Sequence, residues 1–266
     1  MNLRNDPQYL KNFQYRTTKN LEARIRLHEL YSTNQEDWVS FVQSQIKESG
    51  SRSILEVGCG SGNLWNKNTE IDIPFKRLVL SDFSFGMLKG FYINNQNSIV
   101  ENFSANDVQC LPFPDETFDL VIANHMLYHI PDIDLALGEI SRVLTRNGVL
   151  FAATNGKSHM QELDFLMNKF VPDSQEIYRF STKFSLENAR SFLDKHFKET
   201  KLVLYSGMLV IPEIDPIMNY IISIWGNFIS DLQLKSIQDE IESIIKTQKN
   251  FVIHKSSGLF ISKVDK

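Results

Sequence analysis

Two carboxylates and three glycines carry the plainest chemical signal in this chain. In Ile54-Leu55-Glu56-Val57-Gly58-Cys59-Gly60-Ser61-Gly62-Asn63, apolar residues run into an acid and then into glycines at alternate positions. Such a run is a buried parallel strand entering a tight loop. Glycine suits backbone that turns through positive φ or lies against a ligand. A dinucleotide loop has its third glycine one place later, so that strand and helix close on a pyrophosphate. Asn63 stands there instead, which speaks against a nicotinamide dehydrogenase. Glu56 sets a negative charge before the turn, where a pyrophosphate is repelled and a cationic ligand is welcome. The loop therefore reads as a site for a nucleoside without phosphates. Asp82 ends the next strand pattern, where a carboxylate accepts from ribose hydroxyls or caps the helix that follows.

His125 and His129 stand four apart in His125-Met126-Leu127-Tyr128-His129, a spacing that binds zinc on a helix. Met126 occupies the place of the motif's glutamate and no third ligand is evident, so no metal is expected. The alternatives for His129 are a general base working near neutral pH and a hydrogen-bonded loop histidine. Tyr128 and Asp132 share its loop. They either line a substrate pocket or cap the helix that begins near Pro131.

These residues need a frame, and the patterns supply one. Strand patterns fall near 53–57, 77–81, 99–104, 118–123 and 148–154, with helical patterns between them. That alternation implies parallel pairing with right-handed crossovers. Two helices precede the frame, Leu21 to Tyr31 and Gln35 to Glu48, and Gly50 stops the second. Beyond residue 155 come amphipathic helices over Ser158 to Phe170 and Ser185 to His196, and a strand candidate over Lys201 to Val210. Two helical stretches follow within Pro212 to Lys249. Two short strands, Phe251 to His254 and Leu259 to Lys263, are expected around a Lys255–Gly258 turn.

The ordered motifs resemble those of class I S-adenosylmethionine (SAM)-dependent methyltransferases. Glu56-x-Gly58-x-Gly60-x-Gly62 is similar to their first motif, and Leu78 to Ser84 to their second strand with its ribose acid. Ala105-Asn106-Asp107-Val108 resembles their adenine turn. Pro112 to Asn124 and Glu139 to Leu150 resemble the loop, strands and helix of the small-molecule branch, the methyltransferase type 11 group that includes ubiquinone and menaquinone methyltransferases. The likeness is tight over about residues 50–156. It implies a Rossmann-like α/β fold with a seven-stranded, mostly parallel sheet, helices on both faces, and a last strand running antiparallel. One domain is expected, with an N-terminal helical cap over 1–49, a SAM-binding core over 50–156, and lid insertions and C-terminal strands over 157–266.

The resemblance also implies roles. SAM is the cofactor. Glu56, Gly58, Gly60 and Gly62 form its turn, Asp82 takes the ribose, and Asp107 accepts from the adenine amino group with the Val108 N–H facing a ring nitrogen. Phe83 and Met87 pack on the adenine or belong to the core. Asn124 sits beside the methionine moiety, and Tyr15 and Arg24 close over the same end. Arg24 grips the carboxylate as a fork or lies on a solvated helix face. His129 and Tyr128 are the catalytic candidates. Asp132, Tyr178 and Phe184 are the substrate-binding candidates, within a wall that the 157–184 and 212–249 segments help to form. Transfer to nitrogen, oxygen or carbon of a small molecule is the expected activity. The alternatives are an amine at the start of a modified peptide, drawn by acids such as Asp132 and Asp134, and a non-catalytic SAM-binding regulator.

Composition narrows the partners. The 266 residues suffice for one sizeable core. Net charge is −4 with basic residues dispersed, unlike the concentrated basic face of a nucleic-acid groove. Ile217 to Ile224 is too short to span a bilayer. The N-terminus lacks the apolar run of a signal peptide, and Cys59 and Cys110 make no disulfide framework. A reduced cytoplasmic setting is therefore expected, with no nucleic-acid or membrane partner.

Overall fold

A computed structural model describes residues 7–10, 13, 15–16, 18–65, 73–94, 100, 102–171 and 183–264. A three-residue helix, α1 (Pro7–Tyr9), and α2 (Lys19–Tyr31) lead into α3 (Trp38–Ser49). The Asp37 carboxylate accepts from the Ser40 N–H to start α3, and Gly50, at φ 67°, ends it in the left-handed cap. The frame then alternates β1 (Ser53–Val57), β2 (Arg77–Asp82), α4 (Phe85–Asn94), β3 (Asn102–Ala105), β4 (Phe118–Asn124), α5 (Ile133–Val143) and β5 (Leu144–Asn155). After it come α6 (Gln161–Phe170), α7 (Ala189–Leu193), β6 (Glu199–Ile211), α8 (Ile214–Trp225), α9 (Asp231–Gln248) and β7 (Phe251–Lys263).

The seven strands form one sheet in the order β3-β2-β1-β4-β5-β7-β6. β1 to β5 pair in parallel, and β7 runs antiparallel between β5 and β6. β1 is apolar almost throughout because both faces are covered. Leu55, Val121 and Leu150 pack under Leu137 and Ile140 of α5 on one face, and Ile54, Leu120 and Phe151 pack near Ile46 of α3 on the other. A further core joins Leu27 of α2 to Leu163, Ile221, Ile237 and Ile253 from the C-terminal elements. The Asp119 carboxylate accepts from the Arg52 and Ser53 N–H groups and pins the foot of β1 to β4. Glu139 and Arg142, a turn apart on α5, bind the Leu111 N–H and the Leu111 and Phe113 carbonyls. That is the structural reason for the acid–base pair in this motif: it bolts the loop before β4 to the helix after it.

The C-terminal strand differs from the sequence expectation. Lys255–Gly258 is no turn. β7 is continuous for 13 residues, because every residue from Phe251 to Lys263 has a partner in β6. β3 is described over Asn102–Ala105, residues 99 and 101 of its expected span lying outside the described residues, and β5 begins at Leu144, earlier than expected. Among the described residues, no helix is long and apolar enough to cross a membrane.

Candidate active site

The carboxyl ends of β1, β2, β4 and β5 open into a cavity of about 800 Å³, roofed by α2 and the start of α3. Ligands in open parallel sheets bind at this edge. The glycine turn forms the floor. Gly58, Gly60 and Gly62 have φ of 64°, 57° and 67°, a region costly for other residues. A Cβ on Gly58 would lie 2.8 Å from the Met126 side chain, so its hydrogen lets the β4 loop close on the turn. Gly62 does not line the cavity. A Cβ there would meet the Phe91 ring at 2.2 Å, so its task is to let α4 pack against the turn rather than to touch a ligand.

Two acids face the turn. Asp82 accepts from the Gly60 N–H at 2.8 Å and the Ser84 N–H at 2.7 Å. Burial raises its pKa against those bonds. Glu56 is 2% exposed and accepts from Trp65 Nε1–H at 2.6 Å. Burial pushes its pKa up to about 8, opposed by the Trp65 bond and helped by the Asp82 charge. Both acids line the cavity, as do Phe83, Met87, Asp107 and Val108. Phe83 is 42% exposed and Met87 buried. The Asp107 carboxylate accepts from the backbone and side-chain N–H groups of Gln109, while Asn106 Oδ1 takes the Ser81 hydroxyl.

At the middle of the cavity, Asn124 Oδ1 accepts from Trp38 Nε1–H at 3.0 Å. Arg24 donates to the Asn20 carbonyl and holds its guanidinium 5.5 Å from the Tyr15 ring centre. Tyr15 Oη and His129 Nε2 lie 3.0 Å apart, and Tyr128 packs edge-on to His129 at 4.6 Å between ring centres. All of these line the cavity. His125, at φ 55°, packs on Trp38 with ring centres 4.8 Å apart. Burial lowers its pKa to about 4, and its Nδ1 has no hydrogen-bond partner among the described residues.

Three substrate-binding expectations fare differently. Asp132 is the N-cap of α5, accepting from the Leu135 N–H, and stands outside the cavity. Phe184 is fully buried in the core beneath α7 and also lies outside it, because its chain is drawn inward by the Thr154 hydroxyl bonding its carbonyl. Tyr178 lies outside the described residues. The far wall comes instead from residues that the sequence did not single out, among them His28, Asn155, His159, Tyr205, Lys255 and Ser257. Alternation was the available signal for two of them. Phe251, Ile253, Lys255 and Ser257 are the inward positions of β7, which the presumed turn concealed.

Residues 55–152 match the family described as Methyltransferase domain. The malonyl-[acyl-carrier protein] O-methyltransferase of Legionella pneumophila is 30% identical over 123 residues, 46% of this chain and 43% of that protein. The ubiquinone/menaquinone biosynthesis C-methyltransferase UbiE of Saccharophagus degradans is 31% identical over 148 residues, 51% of this chain and 58% of that protein. The chain thus spans about half the length of the curated relatives it matches. In fold it is similar to Haemonchus contortus phosphoethanolamine N-methyltransferase 2, solved with phosphomonomethylethanolamine and S-adenosylhomocysteine. There the TM-score is 0.58 at 16% identity, over 99% of this chain and 60% of that one. Residues 55–152 are thus similar in sequence, and the sheet is similar in fold, to the class I SAM-dependent methyltransferases. SAM is the cofactor of that class.

Proposed function

We propose that the chain transfers the methyl group of SAM to a small-molecule acceptor held beyond Asn124, by in-line displacement. One observation carries this reading: a single cavity runs from the glycine turn and its two acids to a second wall of aromatic and basic side chains. Its volume lies in the upper part of the roughly 300–1,000 Å³ typical of ligand pockets. The residues fit the cofactor. Asp82 takes the ribose hydroxyls, Asp107 and the Val108 N–H take the adenine edge, and Phe83 and Met87 flank the ring. Arg24, Tyr15, Glu56 and Asn124 surround the methionine end. When bound, SAM supplies a methyl already activated on a sulfonium.

The chain's own task is then alignment and exclusion of water. Trp38 and Tyr15 close over the β4 end. His129, within hydrogen-bond reach of Tyr15 and braced by Tyr128, receives the acceptor's proton at Nε2. The amine-bearing peptide alternative has less support, since Asp132 is a helix cap and Asp134 is paired with Lys195 and His196. The free thiols of Cys59 and Cys110 agree with a reduced, cytoplasmic setting.

Calorimetry with SAM and S-adenosylhomocysteine, followed by release of the latter over a panel of small acceptors, tests the proposal. Both ligands should bind without metal or nicotinamide cofactor, and at least one acceptor should turn over. His129→Ala should lower turnover by about 10²-fold, the usual contribution of a positioned base, and leave SAM affinity within about twofold. Binding without turnover across the panel would favour the regulator. Equal loss of affinity and rate would remove the base role from His129.

A further inference from the structure

Lys255 is the odd residue of the cavity. It stands on β7 opposite Gly207, at an inward position, and is 6% exposed. Its Nζ donates to Ser32 Oγ at 2.6 Å and lies 4.9 Å from the Tyr205 ring centre. It forms no ion pair among the described residues. By contrast, Lys169, Lys195, Lys235 and Lys263 all pair with carboxylates on the surface. A buried ammonium without a counter-ion is costly. Burial lowers the Lys255 pKa, but only to about 8, so at neutral pH the group is still mostly charged.

The side chains that share this end do not supply the missing charge. His28, on α2, has a pKa lowered to about 3 by burial, then by Lys255 and His125. It and His125 are neutral imidazoles at physiological pH. His159 accepts from the Ser256 N–H at its Nδ1, which fixes its proton on Nε2. Asp37 is occupied as the cap of α3, bonded to the Ser40 N–H and hydroxyl, and Glu29 is exposed at the rim. The walls are aromatic. Trp38 meets Tyr205 edge-on at 5.1 Å between ring centres, and the His28 and His159 rings are stacked at 6.1 Å.

We propose that this end of the cavity receives an aromatic acid, its anionic group on the Lys255 ammonium and its ring against Trp38 and Tyr205. It rests on the transferase reading above only for calling that acid the methyl acceptor. An ammonium-bearing acceptor would meet Lys255 with no carboxylate to offset it. An anion meets the Lys255 ammonium in a buried setting where charge-assisted bonds are strong.

The test uses the full chain and three probes of one shape: benzoate, benzamide and protonated benzylamine. Affinities are measured by calorimetry and tryptophan fluorescence, with and without S-adenosylhomocysteine. Benzoate should bind roughly tenfold or more tighter than benzamide, the expected effect of one bond to a charged group, and benzylamine should bind weakest. Lys255→Met should abolish that preference and leave S-adenosylhomocysteine affinity unchanged. On the unaltered chain, benzoate affinity should fall as pH rises past about 8 while benzamide affinity stays level, which needs no variant. The titratable groups facing Lys255 are His28, His125 and His159, already neutral or fixed there, Tyr205, raised to about 12 mainly by burial, and the acids Glu36 and Asp37. Equal binding of benzoate and benzamide, preference for benzylamine, no binding of any probe, or a preference that survives in Lys255→Met would each overturn the proposal. If S-adenosylhomocysteine fails to bind while benzoate binds through Lys255, the transferase reading fails and the acid site stands. The converse result leaves the transferase and removes the acid.

Discussion

At the glycine-turn end of the cavity stand two buried acids, Glu56 and Asp82, whereas the β7 end gathers a buried lysine, Lys255, with His28, His125 and His159. The first end comes from one stretch of chain, β1 to the turn after β3. The second is gathered from α2, the loop after β4, the segment after β5, and β6 and β7. Both ends bury ionisable groups, but they handle them differently. The carboxylates are tied to backbone and indole donors that belong to the fold. Lys255 has one hydroxyl and one ring face. The nucleoside end is thus built largely in advance, and the β7 end is completed by what binds there.

The largest expected effect breaks the comparison at the preformed end. Gly62→Val places a Cβ where the Phe91 ring already is and forces a β-branched residue to positive φ. Overpacking and left-handed strain together should cost about 3 kcal/mol, read as a lower midpoint in denaturant. SAM affinity should fall only as far as the turn is displaced. A normal midpoint would mean that α4 yields easily and that the end is not rigid. Next in size is Asp82→Ala. Loss of bonds to a charged acceptor should weaken S-adenosylhomocysteine by about 1.5–3 kcal/mol, measured by calorimetry, without altering benzoate binding at Lys255. A loss at both ends would mean that they are coupled.

The same contrast explains what could be read in advance. The Glu56–Gly62 turn, Asp82 and the frame of alternating strands and helices were legible because local rules govern them: glycine where φ is positive, apolar runs where both sheet faces are covered. The sheet's parallel core followed from the alternation, and its antiparallel strand from the resemblance. Gly62 was placed with the ligand because spacing shows where a glycine lies, not which neighbour demands it. Asp132 was placed with the substrate because an acid before a helix serves as a cap or as a ligand with the same sequence. Lys255 and Ser257 were hidden by composition, since Lys-Ser-Ser-Gly has turn chemistry and only pairing with all of β6 keeps it extended. His28 and Trp38 join the wall through tertiary packing, to which no local pattern points.

The smallest effect separates the two ends by the direction in which they exchange protons. The raised pKa of Glu56, about 8, means that the empty folded chain keeps a proton there that the unfolded chain has lost above the ordinary carboxylate range. Its contribution to stability is therefore full at acid pH and is lost as pH rises from that range through about 8. Glu56→Gln, which keeps an acceptor for Trp65, should flatten this slope in thermal melts between those limits. A cationic cofactor favours the ionised acid, so SAM binding near pH 7 should release up to one proton. Calorimetry in buffers of different ionisation enthalpy counts that proton, and Glu56→Gln should not release it. Lys255 exchanges in the opposite sense. An anion bound there raises its pKa, so benzoate binding above about pH 8 should take up a proton. Opposite signs at the two ends would show one cavity divided by charge between a cationic donor and an anionic acceptor. The same sign at both would mean that the buried acids and Lys255 titrate as a single group, and that the division of the cavity is one of position alone.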